Sequence, residues 1–268
     1  MKNVKTTMIA SAIALSCGAG NVLADSWTIL QTTNLNGSTT HTLTQNANST
    51  ASGTTNSVQA INNINLNTTD GVINTGSTQT VNMADNLTFD QDSAGNNNIQ
   101  AGNNAVTLTV TGLTQSLAAN ATSTTIKFEQ GVTSATGTGN VQAINRVKAT
   151  TVTSLSQSLT GSALTLDFDQ ANGADENIQA GNLIDASTVG DSLSTTAGNV
   201  TQTITVLNAN MTQDSTAQSL QASNALITAS GSGVGHITQT FTVDSLGMTQ
   251  SGADGSVESG NYVGVKIN

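Results

Sequence analysis

Strong chemical handles are scarce in this chain. Among its 268 residues there are one cysteine, no proline and six lysines and arginines, and aromatic side chains make up 2%. The cysteine, Cys17, lies inside an amino-terminal leader, so the remainder of the chain has no thiol for a disulfide and must be held by backbone ladders and packing. So few aromatics cannot supply the girdles of an outer-membrane barrel, and the closing residues Lys266-Ile267-Asn268 include none. No segment beyond the leader has the apolar run that a membrane helix needs. The two histidines, His41 and His236, read as solvated strand residues facing outward. With no cysteine to pair with them, no nucleophile, base or acid converges, and neither an enzyme nor a cofactor is expected.

The leader carries Lys2 and Lys5, an apolar run from Met8 to Leu15, and then Val22-Leu23-Ala24, which suits signal-peptide cleavage before Asp25. The expected organisation is a signal peptide over 1–24 and a single repeat domain over 25–268, in a protein secreted to the exterior or surface of a bacterium. A competing reading makes Cys17 a lipid-attachment site, although Ala14-Leu15-Ser16-Cys17 lacks leucine three places before the cysteine. Loss of Lys2 and Lys5 leaves four basic residues against 16 acidic ones, a net charge of −12. That balance repels nucleic acid and anionic membranes and keeps exported chains apart.

What the chain has in abundance is threonine, serine, asparagine, glutamine and glycine, compatible with β-solenoids and with aggregating polar tracts alike. Repetition separates the two. Ile178-Gln179-Ala180-Gly181-Asn182 recurs in altered form as Val58–Asn62, Ile99–Asn103, Val141–Asn145, Leu220–Asn224 and Val257–Asn261. From Asn62 through Asn103, Asn145, Asn182 and Asn224 to Asn261 the steps are 41, 42, 37, 42 and 37 residues, a period typical of structural repeats. Aliphatic, small and asparagine side chains fall in step with a strand's period of two, which points the asparagines toward the core. The intervening glutamine becomes Glu258 in the last copy, a change suited to a wet position, so this glutamine or glutamate is expected to face out.

Two further strands precede this one in each repeat. The first centres on Gln79, Gln115, Gln157, Gln202 or Gln239, with Gln31 in a degraded opening copy. These glutamines share a phase with apolar neighbours such as Leu113 and Leu117, while Thr78, Thr80, Thr114, Thr201, Thr203, Thr238 and Thr240 face out. The second strand ends in Gln45, Gln91, Gln130, Gln170, Gln213 or Gln250, with Leu164, Leu166 and Phe168 on the same side as Gln170 and Asp167 and Asp169 on the other. Links such as Asp92–Asn97 have turn-forming composition.

The expected fold is therefore all-β: a β-solenoid, like a β-helix, of six repeats of about 40 residues with three short strands each and inward ladders of glutamine and asparagine. A buried amide without a partner costs on the order of 1–3 kcal/mol, so amides are tolerable inside only if like neighbours above and below donate and accept. At about 4.8 Å between strands, six turns make a rod roughly 29 Å tall.

Strand-borne glutamine and asparagine, as in LTLDFDQANGADENIQAGN, together with an export leader, resemble the curlins and related bacterial functional amyloids. The resemblance covers most of residues 27 to 268 as a pattern, and Leu166-Asp167-Phe168-Asp169-Gln170 is similar to the family's first strand, which gives Gln170 the role of its inward glutamine. Curlin repeats are shorter and two-stranded, and here asparagine comes three residues after the third-strand glutamine. The resemblance implies strand-turn-strand repeats stacked as a solenoid and subunits joined end to end into extracellular cross-β fibres of a biofilm matrix. The implied partner is the chain itself as a homopolymer, with a nucleator or a secretion pore as a further candidate. Neither nucleic acid nor a membrane span is implied.

Three other readings remain open. Asp90 with Asp92, Asp167 with Asp169 and Asp175 with Glu176 could gather a hard cation such as calcium, but the glycine-rich nonapeptide of calcium-binding β-rolls is missing, and surface charge is the preferred account. Stacked outward threonines are similar to the ice-binding face of β-solenoid antifreeze proteins, although threonine is also simply a good exposed strand residue. A monomeric β-solenoid adhesin is the third.

Overall fold

The computed structural model describes residues 26–36, 40–44, 56–66, 68–91, 96–121, 123–130, 138–170, 176–189, 200–213, 218–229, 235–251 and 255–265. The leader, Cys17, the cleavage site at Ala24, Gln45, Asp92 and Asp175 lie outside them. In chain order the strands are β1 (Ser26–Trp27), β2 (Leu30–Leu35), β3 (Thr40–Thr44) and β4 (Val58–Asn65). A second pass comprises β5 (Val72–Ile73), β6 (Ser77–Met83), β7 (Asn86–Gln91) and β8 (Ile99–Val106). A third adds β9 (Thr109–Val110), β10 (Leu113–Ala119), β11 (Thr124–Gln130) and β12 (Val141–Val152). Beyond it, neighbouring strands merge into longer ones: β13 (Leu155–Gln170), β14 (Ile178–Val189), β15 (Val200–Gln213), β16 (Leu220–Thr228), β17 (Ile237–Gln250) and β18 (Val257–Val265).

All of these strands pair in parallel within two nine-stranded sheets. One is built from β1, β4, β5, β8, β9, β12, β14, β16 and β18, the other from β2, β3, β6, β7, β10, β11, β13, β15 and β17. Pairing always joins a strand to its counterpart in the next pass, so like residues meet: Gln115 with Gln157, Phe128 with Phe168, Asn145 with Asn182. In the sheet that contains β6 and β7, alternation explains why the sequences are strands. In β6, Ser77, Gln79, Val81 and Met83 are buried, while Thr78, Thr80 and Asn82 are half-exposed. A one-residue slip would expose that whole set, so burial pins the register.

Side chains of a column stack as well as their backbones do. Phe89, Phe128 and Phe168 lie ring on ring, with centroids 4.6 and 4.8 Å apart and planes within 4° of parallel. They centre a core cluster that includes Leu87, Ile126, Leu166, Leu117, Leu159 and Ile204. A second cluster contains Ile73, Val110, Val152 and Val189, which stand on short strands or strand ends that the three-strand repeat did not foresee. The first five passes thus have a fourth short pairing segment, at 26–27, 72–73, 109–110, 151–152 and 188–189, too brief to show a period of its own.

The third strand of each repeat corrects the sequence reading in one respect. Gln100, Gln142, Gln179 and Gln221 are fully buried, like the asparagines three places on, and do not face out. Residues 181 and 182 both point inward: a Cβ on Gly181 would collide with Ile204, and the Asn182 amide reaches Thr203 O. The strand bends there, so glutamine and asparagine lie on one side despite their odd spacing. At the bend, Ile61, Gly102, Ile144, Gly181, Ser223 and Gly260 take the same position in successive passes, largely alternating bulky with small. The outer side of the bend is concave and packed with Ala143, Ala180, Leu183, Ala222, Ala225 and Ile227.

Entry into this strand uses the same turn each time. Asn56, Asn97, Gly139, Glu176, Gln218 and Gly255, each two residues before the strand, all have φ between 56° and 70°. The left-handed conformation favours glycine and tolerates asparagine, whereas glutamate and glutamine are strained in it. Gln218→Gly and Glu176→Gly are therefore expected to raise unfolding free energy by about 0.5–1 kcal/mol each in denaturant titrations.

Arg146 is an anomaly in the outer cluster. It is 4% exposed, its Nη1 donates to Asn104 Oδ1 at 2.8 Å, and its Nε finds no acceptor among the described residues. Burial pushes the guanidinium below its ordinary pKa, an effect partly offset by the charge of Asp185. Because the next members of this column are Leu183 and Ala225, Arg146→Met should leave stability unchanged or raise it by about 1–4 kcal/mol, read from the urea midpoint. A loss of several kcal/mol would show that the charge is held by more than Asn104.

Candidate assembly interface

Four columns of amides run along the stack. In the first, Gln79 Nε2 donates to Gln31 Oε1 at 2.8 Å, Gln115 to Gln79 at 2.8 Å, Gln157 to Gln115 at 2.8 Å, Gln202 to Gln157 at 2.8 Å and Gln239 to Gln202 at 2.7 Å. The second column pairs Gln91, Gln130, Gln170, Gln213 and Gln250 in register, and Gln213 donates to Gln170 at 3.0 Å and Gln250 to Gln213 at 2.7 Å. The third is the buried set that the sequence pattern alone puts outside: Gln100 donates to Gln59, Gln142 to Gln100, Gln179 to Gln142 and Gln221 to Gln179, at 2.8–3.1 Å.

The asparagine column is the most regular. Asn62 Nδ2 donates to Asn103 Oδ1, Asn103 to Asn145, Asn145 to Asn182, Asn182 to Asn224 and Asn224 to Asn261, each at 2.8 Å. The second hydrogen of each donor goes to a backbone carbonyl across the interior, as in Asn145 to Ser158 O and Asn182 to Thr203 O. Likewise Gln157 and Gln202 reach Leu183 O and Ala225 O. The amides therefore tie the two sheets together as well as stacking within one.

Direction distinguishes the columns. Every glutamine bond runs from a later residue to an earlier one, and every asparagine bond runs from earlier to later. The stack consequently has two unlike ends. At the early end Asn62 Oδ1 accepts from Thr33 Oγ1 at 2.8 Å, and Gln59 donates to Leu43 O and Asp90 O. At the late end, β17 and β18 have partners on one side only among the described residues, and Gln239 and Gln250 keep acceptor oxygens toward the open side.

A fifth column escaped the sequence reading. Ser57 N donates to Asn98 Oδ1, Asn98 N to Asn140 Oδ1, Asn140 N to Asn177 Oδ1, Asn177 N to Ser219 Oγ and Ser219 N to Ser256 Oγ, at 2.7–3.2 Å. The visible signal was a serine or asparagine immediately before each third-strand aliphatic residue. These side chains occupy the turn and satisfy backbone amides that a bent entry leaves without strand partners.

The remaining candidate residues lie mostly on the outer faces. Thr78, Thr114, Ser156, Thr201 and Thr238 form one outward column, and Thr80, Ser116, Ser158, Thr203 and Thr240 another. Asp90, Glu129 and Asp169 stack outward, and Lys127 pairs with Glu129. That contact raises the Lys127 pKa against the opposing effect of burial, with Asp167 and Asp169 adding to it. Among the described residues no group of three or more acidic, histidine or cysteine side chains could hold a metal ion. His236 is exposed. His41 corrects its expected placement: it occupies the inward column of Leu87, half-buried, with Nε2 3.5 Å from Asp85 Oδ2, because it is in phase with Leu43, which pairs with Phe89.

Asn145 tests whether the columns bear weight. Asn145→Ala removes the acceptor of Asn103, the donor to Asn182 and the tie to Ser158 O. At about 1–3 kcal/mol per orphaned group, a loss of at least about 3 kcal/mol is expected in chemical denaturation, and a loss below about 1 kcal/mol would make the column ornamental. The chain matches no protein-family model, and no curated protein or solved structure matches it.

Proposed function

We propose that the two sheets are faces of one six-turn β-solenoid, and that the chain is a secreted structural subunit which adds end to end to copies of itself. The product is a cross-β fibre of a bacterial cell surface or biofilm matrix, in keeping with the resemblance to curlins. The observation that carries this reading is where apolar side chains are exposed. Among the described residues the six large exposed ones, Trp27, Leu30, Val58, Leu246, Val263 and Val265, stand in strands of the first or last pass. Several belong to columns that are buried in the passes between: Trp27 stands beside Ile73, Leu246 beside Ala209 and Val263 beside Leu226. Ends of this kind combine open backbone groups with a cut apolar core, and a second copy answers both needs.

The aligned outward hydroxyls, with Ser116 Oγ 3.3 Å from Thr80 Oγ1 and Thr201 Oγ1 3.3 Å from Ser156 Oγ, favour a second reading as an ice-binding monomer. Timed negative-stain microscopy of the mature chain separates the two. Fibres with a meridional reflection near about 4.8 Å support the first, and a stable monomer that shapes ice crystals supports the second. Val263→Lys with Val265→Lys places two charges on the late end, where these closing members of their columns are 52% and 51% exposed. This double variant should keep the native circular dichroism spectrum and lose fibre growth; growth at the native rate would rule out stacking at that end.

A further inference from the structure

We propose that Glu258 gates the joint between two copies, meeting Gln59 of the incoming copy at the late end. The inference rests on the fibre reading and assigns one residue to its control. Glu258 comes after Gln59, Gln100, Gln142, Gln179 and Gln221 in the third glutamine column, paired with Gln221 by register. Where Gln100, Gln142, Gln179 and Gln221 each give a hydrogen to the member before, an ionised carboxylate has none to give. The consequence is visible: Gln221 Oε1 is buried and has no donor among the described residues, whereas Gln179 Oε1 accepts from Gln221 at 2.9 Å. Glu258 itself is exposed.

The opposed directions of the columns decide which end an incoming copy presents. Late-end Gln239 and Gln250 offer acceptors, and early-end Gln31 offers an amide nitrogen whose described bond goes to Asn63 O. Asn261 at the late end offers a donor and Asn62 at the early end an acceptor, as in every step between them. Unlike ends therefore complement each other column by column, in the same sense as successive passes do. In such a joint Glu258 faces Gln59, which already directs to Leu43 O, at 3.2 Å, a hydrogen that later members give to the preceding glutamine. Gln59 can turn that hydrogen to the carboxylate, so the geometry of the joint is satisfied.

Charge is what holds the joint back. The arriving copy strips water from a carboxylate whose other neighbour, Gln221 Oε1, is also an acceptor, and the cost of dehydrating an ion without full compensation is several kcal/mol. Little nearby offsets it. β16 carries no ionisable residue, β17 carries only Asp244, β18 itself has only Tyr262, and the incoming β3 and β4 bring only His41. A glutamine at 258 would remove the charge, donate to Gln221 and still accept from Gln59.

The test compares the native mature chain with Glu258→Gln. The variant monomer should melt at a higher temperature, because the column gains its missing bond, and its seeded elongation followed by light scattering should be roughly tenfold faster or more. Assembly of the variant alone, with the native chain staying monomeric, supports the gate equally. Equal elongation rates for both chains overturn the gate and leave the fibre reading standing. If neither chain assembles, with or without a raised melting temperature, both the gate and the fibre reading fall.

Discussion

A primary amide has two hydrogens and a carbonyl, and inside a protein it needs partners for all three directions. Here the partner is the same residue one pass of chain earlier or later, plus a backbone carbonyl across the interior. Asn145 shows the arrangement in full, accepting from Asn103 and donating to both Asn182 and Ser158 O. The requirement that identical residues sit at identical heights then governs everything else. It imposes parallel pairing and in-register strands, and it keeps the steps of the repeat in whole passes even though their length varies between 37 and 42 residues. Insertions are absorbed in links between strands, where height is not at stake.

The same rule explains how a chain with so few large apolar residues has a dry interior. Three stacked phenylalanines and a few aliphatic columns fill the widest part, and alanine, glycine and amides fill the rest. Each amide column converts what would be a desolvation penalty into a set of directed bonds in a low-dielectric setting, where they are strong. The bend in the third strand extends this to the outside. By making that side concave it lets small residues such as Ala143 and Ala180 be buried on a face that in a straight strand would meet water. Arg146 sits among them with a side-chain bond to Asn104 and an Nε that has no acceptor among the described residues, a buried charge poorly matched to its surroundings.

Directionality gives the stack unlike ends. Glutamine columns send their hydrogens toward the early end and the asparagine column sends its own toward the late end, so the two ends are complementary column by column. In the proposed fibre the exposed apolar residues at both ends would favour contact with another copy, and the carboxylate at position 258 would resist it.

Residue order alone determined that the chain is a set of parallel-pairing strands, which residues recur together and that the first- and second-strand glutamines share a phase with the core, because alternation and period are properties of a linear string. It also showed the break in the third column, as glutamate in place of glutamine. It misjudged that column's direction, since a period of two puts Gln179 and Asn182 on opposite faces and only the bend at Gly181 brings them to one. The threonines flanking His41 likewise hid its inward phase, which pairing with Leu87 reveals. The turn column through Asn98 and Asn140 and the direction of every amide bond were decided by tertiary structure alone. Those depend on which way each amide is rotated and on which carbonyl lies opposite, and both are settled by neighbours dozens of residues away in sequence.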